Sequence, residues 1–143
     1  MAKVDAAAVA AGFPGAQVEE TPFGPVVRVA RESYRALCAA LRGKGCEFSS
    51  ITAVDRMEKF EVVVHLLASP AEQITVKTEL PADGPKVDSL CPVWEGAEWQ
   101  EREVYDMYGI DFVDHPDLTR ILLPDDFEGF PLRKSFELEE VGW

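Results

Sequence analysis

Glu101 with Glu103, and Asp125 with Asp126, are the carboxylate pairs in this chain that could divide acid and base work. His115 stands in Asp-His-Pro-Asp, between Asp114 and Asp117. A stand-alone hydrolase would use His115 with one of those aspartates. No nucleophile and no orienting third group lies near them in the sequence, so structural ion pairing is the better reading of the carboxylates. For His115 a turn-stabilising hydrogen bond competes with a proton-relay or interface role.

The templates for cofactor chemistry are missing parts. Nucleotide binding would need a glycine-rich turn between strand and helix, and neither GxGxxG nor GxxxxGK[ST] occurs. Cys38, Cys46 and Cys91 make no CxxC pair and no metal spacing, and an iron–sulfur cluster would need about four thiolates. His65 lies in an apolar run and reads as a sheet-face histidine. The expectation is a chain without flavin, metal or cluster, and without a self-contained active site. The formal charge of -12 argues against nucleic acid and against direct binding to an anionic membrane surface. That charge is uneven, because residues 94–143 hold 14 acidic and 4 basic groups, net -10. No apolar run approaches the ~20 residues of a membrane span. Three cysteines with no signal peptide ahead of them favour a reducing, cytoplasmic location.

The elements that would position these residues can be read in order. Val4–Ala11 is a short Ala-rich helix stopped by Gly12 and Pro14. Ala16–Glu20 and Pro25–Ala30 are strands around Thr-Pro-Phe-Gly. Arg31–Arg42 is a helix, with Tyr34, Leu37, Cys38 and Leu41 at i, i+3, i+4 and i+7 and Gly43 at its end. Three strands follow at Glu47–Arg56, Phe60–Ala68 and Gln73–Leu80. The second is a nearly continuous apolar run suited to cover on both faces. The fold class is α+β: two layers, helices packed on a mixed sheet of about five strands, with a long ordered C-terminal coil. Residues 1–109 form the core domain, and 110–143 are a docking extension of it.

The last helix is placed at Gly96–Tyr108, with Gly109 suited to the left-handed position past its end. Ala97, Glu101, Val104 and Tyr108 share one stripe. Trp99, Glu103 and Met107 share another, with Asp106 beside it. Both Glu101 and Glu103 therefore sit among residues that would face a core, where a carboxylate costs several kcal/mol unless paired and hydrogen-bonded. Arg102 is four residues from both Glu98 and Asp106. Arg120, Arg133 and Lys134 are the longer-range partners. The expectation is a carboxylate–arginine network tying the coil to the helix; the alternative is a solvated helix charged all round.

The coil from Ile110 lacks a repeating pattern but carries Phe112, Leu118, Ile121, Leu122, Leu123, Phe127, Phe130, Leu132, Phe136 and Trp143. So many large apolar groups argue against disorder and for a partner surface, stiffened by Pro116, Pro124 and Pro131.

These residues also carry a resemblance. EREVYDMYGI, HPDLTRILLP and GFPLRK, in that order, resemble the signature region of the C subunit of NADH-quinone oxidoreductase, respiratory complex I. ITAVDR, FEVVVHLLAS and VDSLCPVW extend the likeness over residues 48–136. Phe127 stands where that family usually has Trp, and Ser135 where it usually has an acidic residue. The resemblance implies a cofactor-free, non-catalytic subunit of the peripheral arm, with NADH, quinone and iron–sulfur clusters held elsewhere in the complex. It implies packing against the quinone-site (D-type) subunit and neighbouring iron–sulfur subunits, peripheral to the cell membrane through the complex. Equivalent subunits of membrane-bound hydrogenases and F420H2 dehydrogenases fit the same residues. The network Glu101, Arg102, Glu103, Asp106, His115, Pro116, Arg120, Pro131, Leu132, Arg133 and Lys134 is the expected structural and interface site.

Overall fold

The computed structural model describes residues 4–134. Phe136 and Trp143 of the expected apolar coil, and Ser135, lie outside the described residues.

Five strands form one sheet in the order β1-β2-β5-β4-β3, with β1 at Gln17–Thr21, β2 at Gly24–Arg28, β3 at Glu47–Asp55, β4 at Lys59–Ser69 and β5 at Glu72–Pro81. The sheet is mixed: β2 runs parallel to β5, and the other neighbours are antiparallel. The five expected strands are all present. β4 sits between two strands, and Phe60, Val62, Val64 and Leu66 face the core. β5 alternates over its second half, with Val76, Thr78 and Leu80 buried, Lys77 half-buried and Glu79 exposed, but Thr75 beside the buried Ile74 is buried as well, where alternation alone would turn it outward.

Helices cover one face. These are α1 at Ala6–Ala10, α2 at Tyr34–Gly43 and α3 at Ala97–Tyr108, with a 3-10 turn at Arg31–Ser33 leading into α2. Asp5 caps α1 by accepting from the Ala8 amide. The stripe Tyr34, Leu37, Cys38 and Leu41 is buried against the sheet. The other face of the sheet is left open, which makes the domain two layers.

Two more strands were not legible. Lys86–Asp88, here β6, pairs in parallel with Asp111–Val113, here β7, and α3 is the crossover between them. Ile110 and Phe112 are consequently core residues, 0% and 2% exposed, although they follow the end of the last helix.

Two glycines are required by close approach. A Cβ on Gly24 would meet the Gln73 carbonyl oxygen where the β1–β2 hairpin crosses the start of β5. Gly109 has φ 74° at the end of α3, and a Cβ there would lie 2.6 Å from the Phe130 ring and 2.9 Å from an Arg133 nitrogen. The coil thus folds back directly over the helix end.

Candidate functional site

Ala97, Glu101 and Val104 bury one face of α3, and Asp106, roughly half a turn round the helix from Ala97, is buried on the other side under the coil. Of the second expected stripe, Trp99 is 58% exposed and Glu103 is exposed, so these two do not face a core, whereas Asp106 beside them is fully buried. The helix packs chiefly on β3 and also touches β7, and it meets β3 with the first stripe. Of the two glutamates, Glu101 alone needs partners, and it finds them in the loop after β6.

Glu101 is fully buried. Its Oε1 accepts from the Ser89 hydroxyl at 2.6 Å and the Cys91 thiol at 3.3 Å, and its Oε2 accepts from the Leu90 amide at 2.8 Å. Burial pushes its pKa up, and the bonds from Leu90, Ser89 and Cys91 only partly offset this. Burial likewise pushes the Cys91 thiol up to about 11, which keeps it a hydrogen-bond donor. Glu101 is a staple between helix and loop, not a member of an arginine network.

Cys91, Glu101 and His115 bring potential metal-ligand atoms within 4.8 Å of one another, a grouping that cysteine spacing could not reveal. Their donor atoms are already engaged. The Nδ1 of His115 accepts from the Asp117 amide at 2.9 Å, and its Nε2 donates to the Glu98 carbonyl at 3.0 Å. Both ring nitrogens thereby hold the turn after β7 against α3. This commitment leaves no free lone pair for general-base work, which removes the basis for a His115 hydrolase. Pro116 follows in the same exposed turn.

The centre of the site is Asp106. Its side chain is fully buried, and Arg120, 10% exposed, donates to Oδ1 at 2.8 Å. Oδ2 accepts from three consecutive coil amides: Ile121 at 3.3 Å, Leu122 at 2.8 Å and Leu123 at 3.0 Å. Burial raises the carboxyl's pKa, but the amides and the guanidinium outweigh it and hold Asp106 below the usual range. Arg120 also donates to the Asp106 carbonyl and to the Gly129 carbonyl, and it lies over the rings of Phe127 and Phe130. One carboxylate and one guanidinium therefore bind both arms of the coil.

The other expected cations act through carbonyls and rings. Arg102 bonds the Thr119 carbonyl and hydroxyl and the Arg120 carbonyl and covers the Trp99 ring; it makes no ion pair with Glu98 or Asp106. The i±4 spacing offers that pair, but Asp106 is filled by partners held closer. Arg133 donates to the Tyr108 carbonyl, capping the end of α3, and sits between the rings of Phe60 and Phe130. Lys134 contributes its backbone amide, which donates to Asp55 at 2.7 Å. Pro131 lies in the turn that follows Phe130, and the Leu132 amide donates to the Met107 carbonyl at 3.0 Å. The Leu122 and Leu132 side chains point outward, 62% and 54% exposed. Phe112, Leu118 and Phe130 instead pack on the domain itself. The coil's apolar surface is thus narrower than its composition suggested.

Because Arg102 bonds a largely exposed coil segment, Arg102→Ala should lower stability by only about 1 kcal/mol, the net value of ordinary hydrogen bonds. Chemical denaturation checks this, and a loss as large as that of an Arg120 variant would put Arg102 at the centre of the network instead.

The "Respiratory-chain NADH dehydrogenase, 30 Kd subunit" family matches residues 27–141. The C subunit of NADH-quinone oxidoreductase from Moorella thermoacetica is 44% identical over 135 residues, covering 91% of each chain. Its counterpart from Citrifermentans bemidjiense is 45% identical over 95 residues, 64% of this chain and 59% of that one. A solved structure described as Nqo5 of the trypsin-resistant fragment (1-134) superposes with a TM-score of 0.68 at 27% identity, covering 78% of this chain and 95% of that one. The chain belongs to the 30 Kd subunit family of respiratory-chain NADH dehydrogenase, the family that includes the C subunit of NADH-quinone oxidoreductase.

Proposed function

We propose that this chain is a cofactor-free structural subunit in the peripheral arm of a complex I-type NADH:quinone oxidoreductase. It docks through the α3–coil face onto the quinone-site subunit and its cluster-bearing neighbours. The observation that carries the reading is the use made of Asp106. A fully buried carboxylate, an arginine and three amides are committed to holding irregular backbone in one shape, with Leu122 and Leu132 presented outward. Fixing a loop before it binds lowers the ordering entropy that association must overcome. No helix among the described residues is long and apolar enough to cross a membrane, so attachment to the cell membrane, on its cytoplasmic side, would come through the complex.

Two measurements test this. The oxidoreductase carrying Leu122→Asp with Leu132→Asp should copurify with fewer of its peripheral subunits, whereas the unaltered chain brings them down together. Assembly of the double variant at the normal level would overturn the docking surface. The purified chain should show no visible absorption band and no stoichiometric metal. A flavin, cluster or zinc retained one per chain would overturn the cofactor-free reading, with Cys91, Glu101 and His115 as the first ligands to substitute.

A further inference from the structure

On the open face of the sheet, a cluster of cations gathers around one carboxylate, Glu61, with Glu19 and Glu79 as exposed acidic groups on the same face. Strand register aligns Arg28 with Lys77 and places Glu61 one row along on β4. The Glu61 side chain is 5% exposed, and three cations stand around it. Arg28 reaches Oε2 at 3.2 Å, while Arg56 and Lys77 stand 3.6 and 3.7 Å from Oε1. Oε1 accepts no hydrogen bond among the described residues. Lys59 and Glu79, beside them, neutralise each other at 2.8 Å.

Three cations against one carboxylate leave a local charge of +2 in a chain whose total is -12. The donors are also under-used. Arg28 spends one N–H on Glu61, and the side chains of Arg56 and Lys77 donate no hydrogen bond within normal distance to any described residue. Arg28 and Arg56 remain 44% and 53% exposed and Lys77 24%. A guanidinium offers five donors in a fork that matches a carboxylate. Between the cations, Val63 and Thr75 give a flat, nearly closed floor. The face is therefore built for anions presented on extended or shallow backbone.

We propose that this open sheet face binds an acidic segment of a second protein partner, whose carboxylates pair with Arg28, Arg56 and Lys77. The inference rests on the assembly role given above and deepens it. The α3–coil face and the cation cluster around Glu61 lie on opposite sides of the sheet, so they take different partners, and the subunit acts as a bridge between them. Such contacts set specificity and association rate and weaken with salt.

The test uses the purified complex. A zero-length carbodiimide couples an amine only to a carboxylate in contact with it, and peptide mapping identifies the pair. The expected product joins Lys77 to an Asp or Glu of another subunit, and acetylation of Lys77 should be several-fold slower in the complex than in the free chain. The Arg56→Glu variant, altered at a half-exposed side chain, should recover several-fold less of that subunit and keep those bound at the coil. Lys77 linked only within its own chain, to Glu61 or to Glu137, Glu139 or Glu140, with acetylation unchanged, would overturn the proposal. So would pelleting of the free chain with vesicles of anionic phospholipid, which would assign the face to a lipid surface. A complex that carries the Lys77 link and also tolerates Leu122→Asp with Leu132→Asp would uphold the sheet face and sink the coil reading alone.

Discussion

The Asp106→Ala variant is expected to release the coil while leaving the five-stranded sheet folded. The substitution removes the acceptor for three amides and the partner of a nearly buried guanidinium. Breaking a buried pair by deleting one member costs about 3–5 kcal/mol, because the other charge is left uncompensated. The coil reaches the sheet through Arg133 over the Phe60 ring and the Lys134 amide on Asp55, so the loss should appear as local opening. Amide exchange at Ile121, Leu122 and Leu123 should accelerate by roughly two to three orders of magnitude, since about 1.4 kcal/mol is a factor of ten. Exchange in β4 and β5 should stay slow. Unchanged protection at those three amides would mean that the coil is held by its ring contacts and not by the carboxylate.

The Glu101→Ala variant should act on the whole domain. It strands the Leu90 amide, the Ser89 hydroxyl and the Cys91 thiol beside a new cavity between α3 and the β6 loop. Unsatisfied buried donors cost about 1–3 kcal/mol each, so a total near 4 kcal/mol is expected. For a domain of this size that is roughly a 10 °C fall in Tm. Glu101→Gln keeps the volume and one acceptor and should lose less. Equal stability of Glu101→Ala and the unaltered chain would rule out the staple.

The two carboxylates give opposite pH signs. Asp106 has a depressed pKa in the fold, so its contribution is complete above its ordinary value of 3.8 and is lost as pH falls through the depressed value. Glu101 has a raised pKa, so its contribution is complete below its ordinary 4.5 and declines as pH rises through the raised value. Acid release of the coil should therefore begin only below pH 3.8, and Asp106→Asn should abolish that step. Release beginning above pH 4.5 would point to another group.

Much of the frame was legible because periodicity reports burial. The alternation in the second half of β5, the valine run of β4 and the α2 stripe all appear where their spacing places them. Glu101 was legible for the same reason, since it shares a stripe with Ala97 and Val104. Glu103 misled because two stripes at helical spacing look alike, and only tertiary packing decides which one meets the sheet. β6 and β7 are three residues each, too short for a period, and they pair across a helix. The central role of Asp106 could not be read from spacing, because three of its four bonding groups are backbone amides, which every residue but proline carries.

The sequence distances within the coil's anchors favour one order of folding. The bonds from coil amides to Asp106 span 15 to 17 residues, whereas the Lys134 bond to Asp55 spans 79. With α3 packed on β3, the free chain starts at the end of α3, so closing at Lys134 before Leu122 roughly doubles the loop and costs only about 0.6 kcal/mol more in chain entropy. Once α3 has formed, the coil is therefore expected to settle at Asp106 first and reach the bond to Asp55 last. Opening runs the other way. The Lys134 amide bond to Asp55 is exposed and lies at the far end of the described coil, so on this order it is expected to be the first to open.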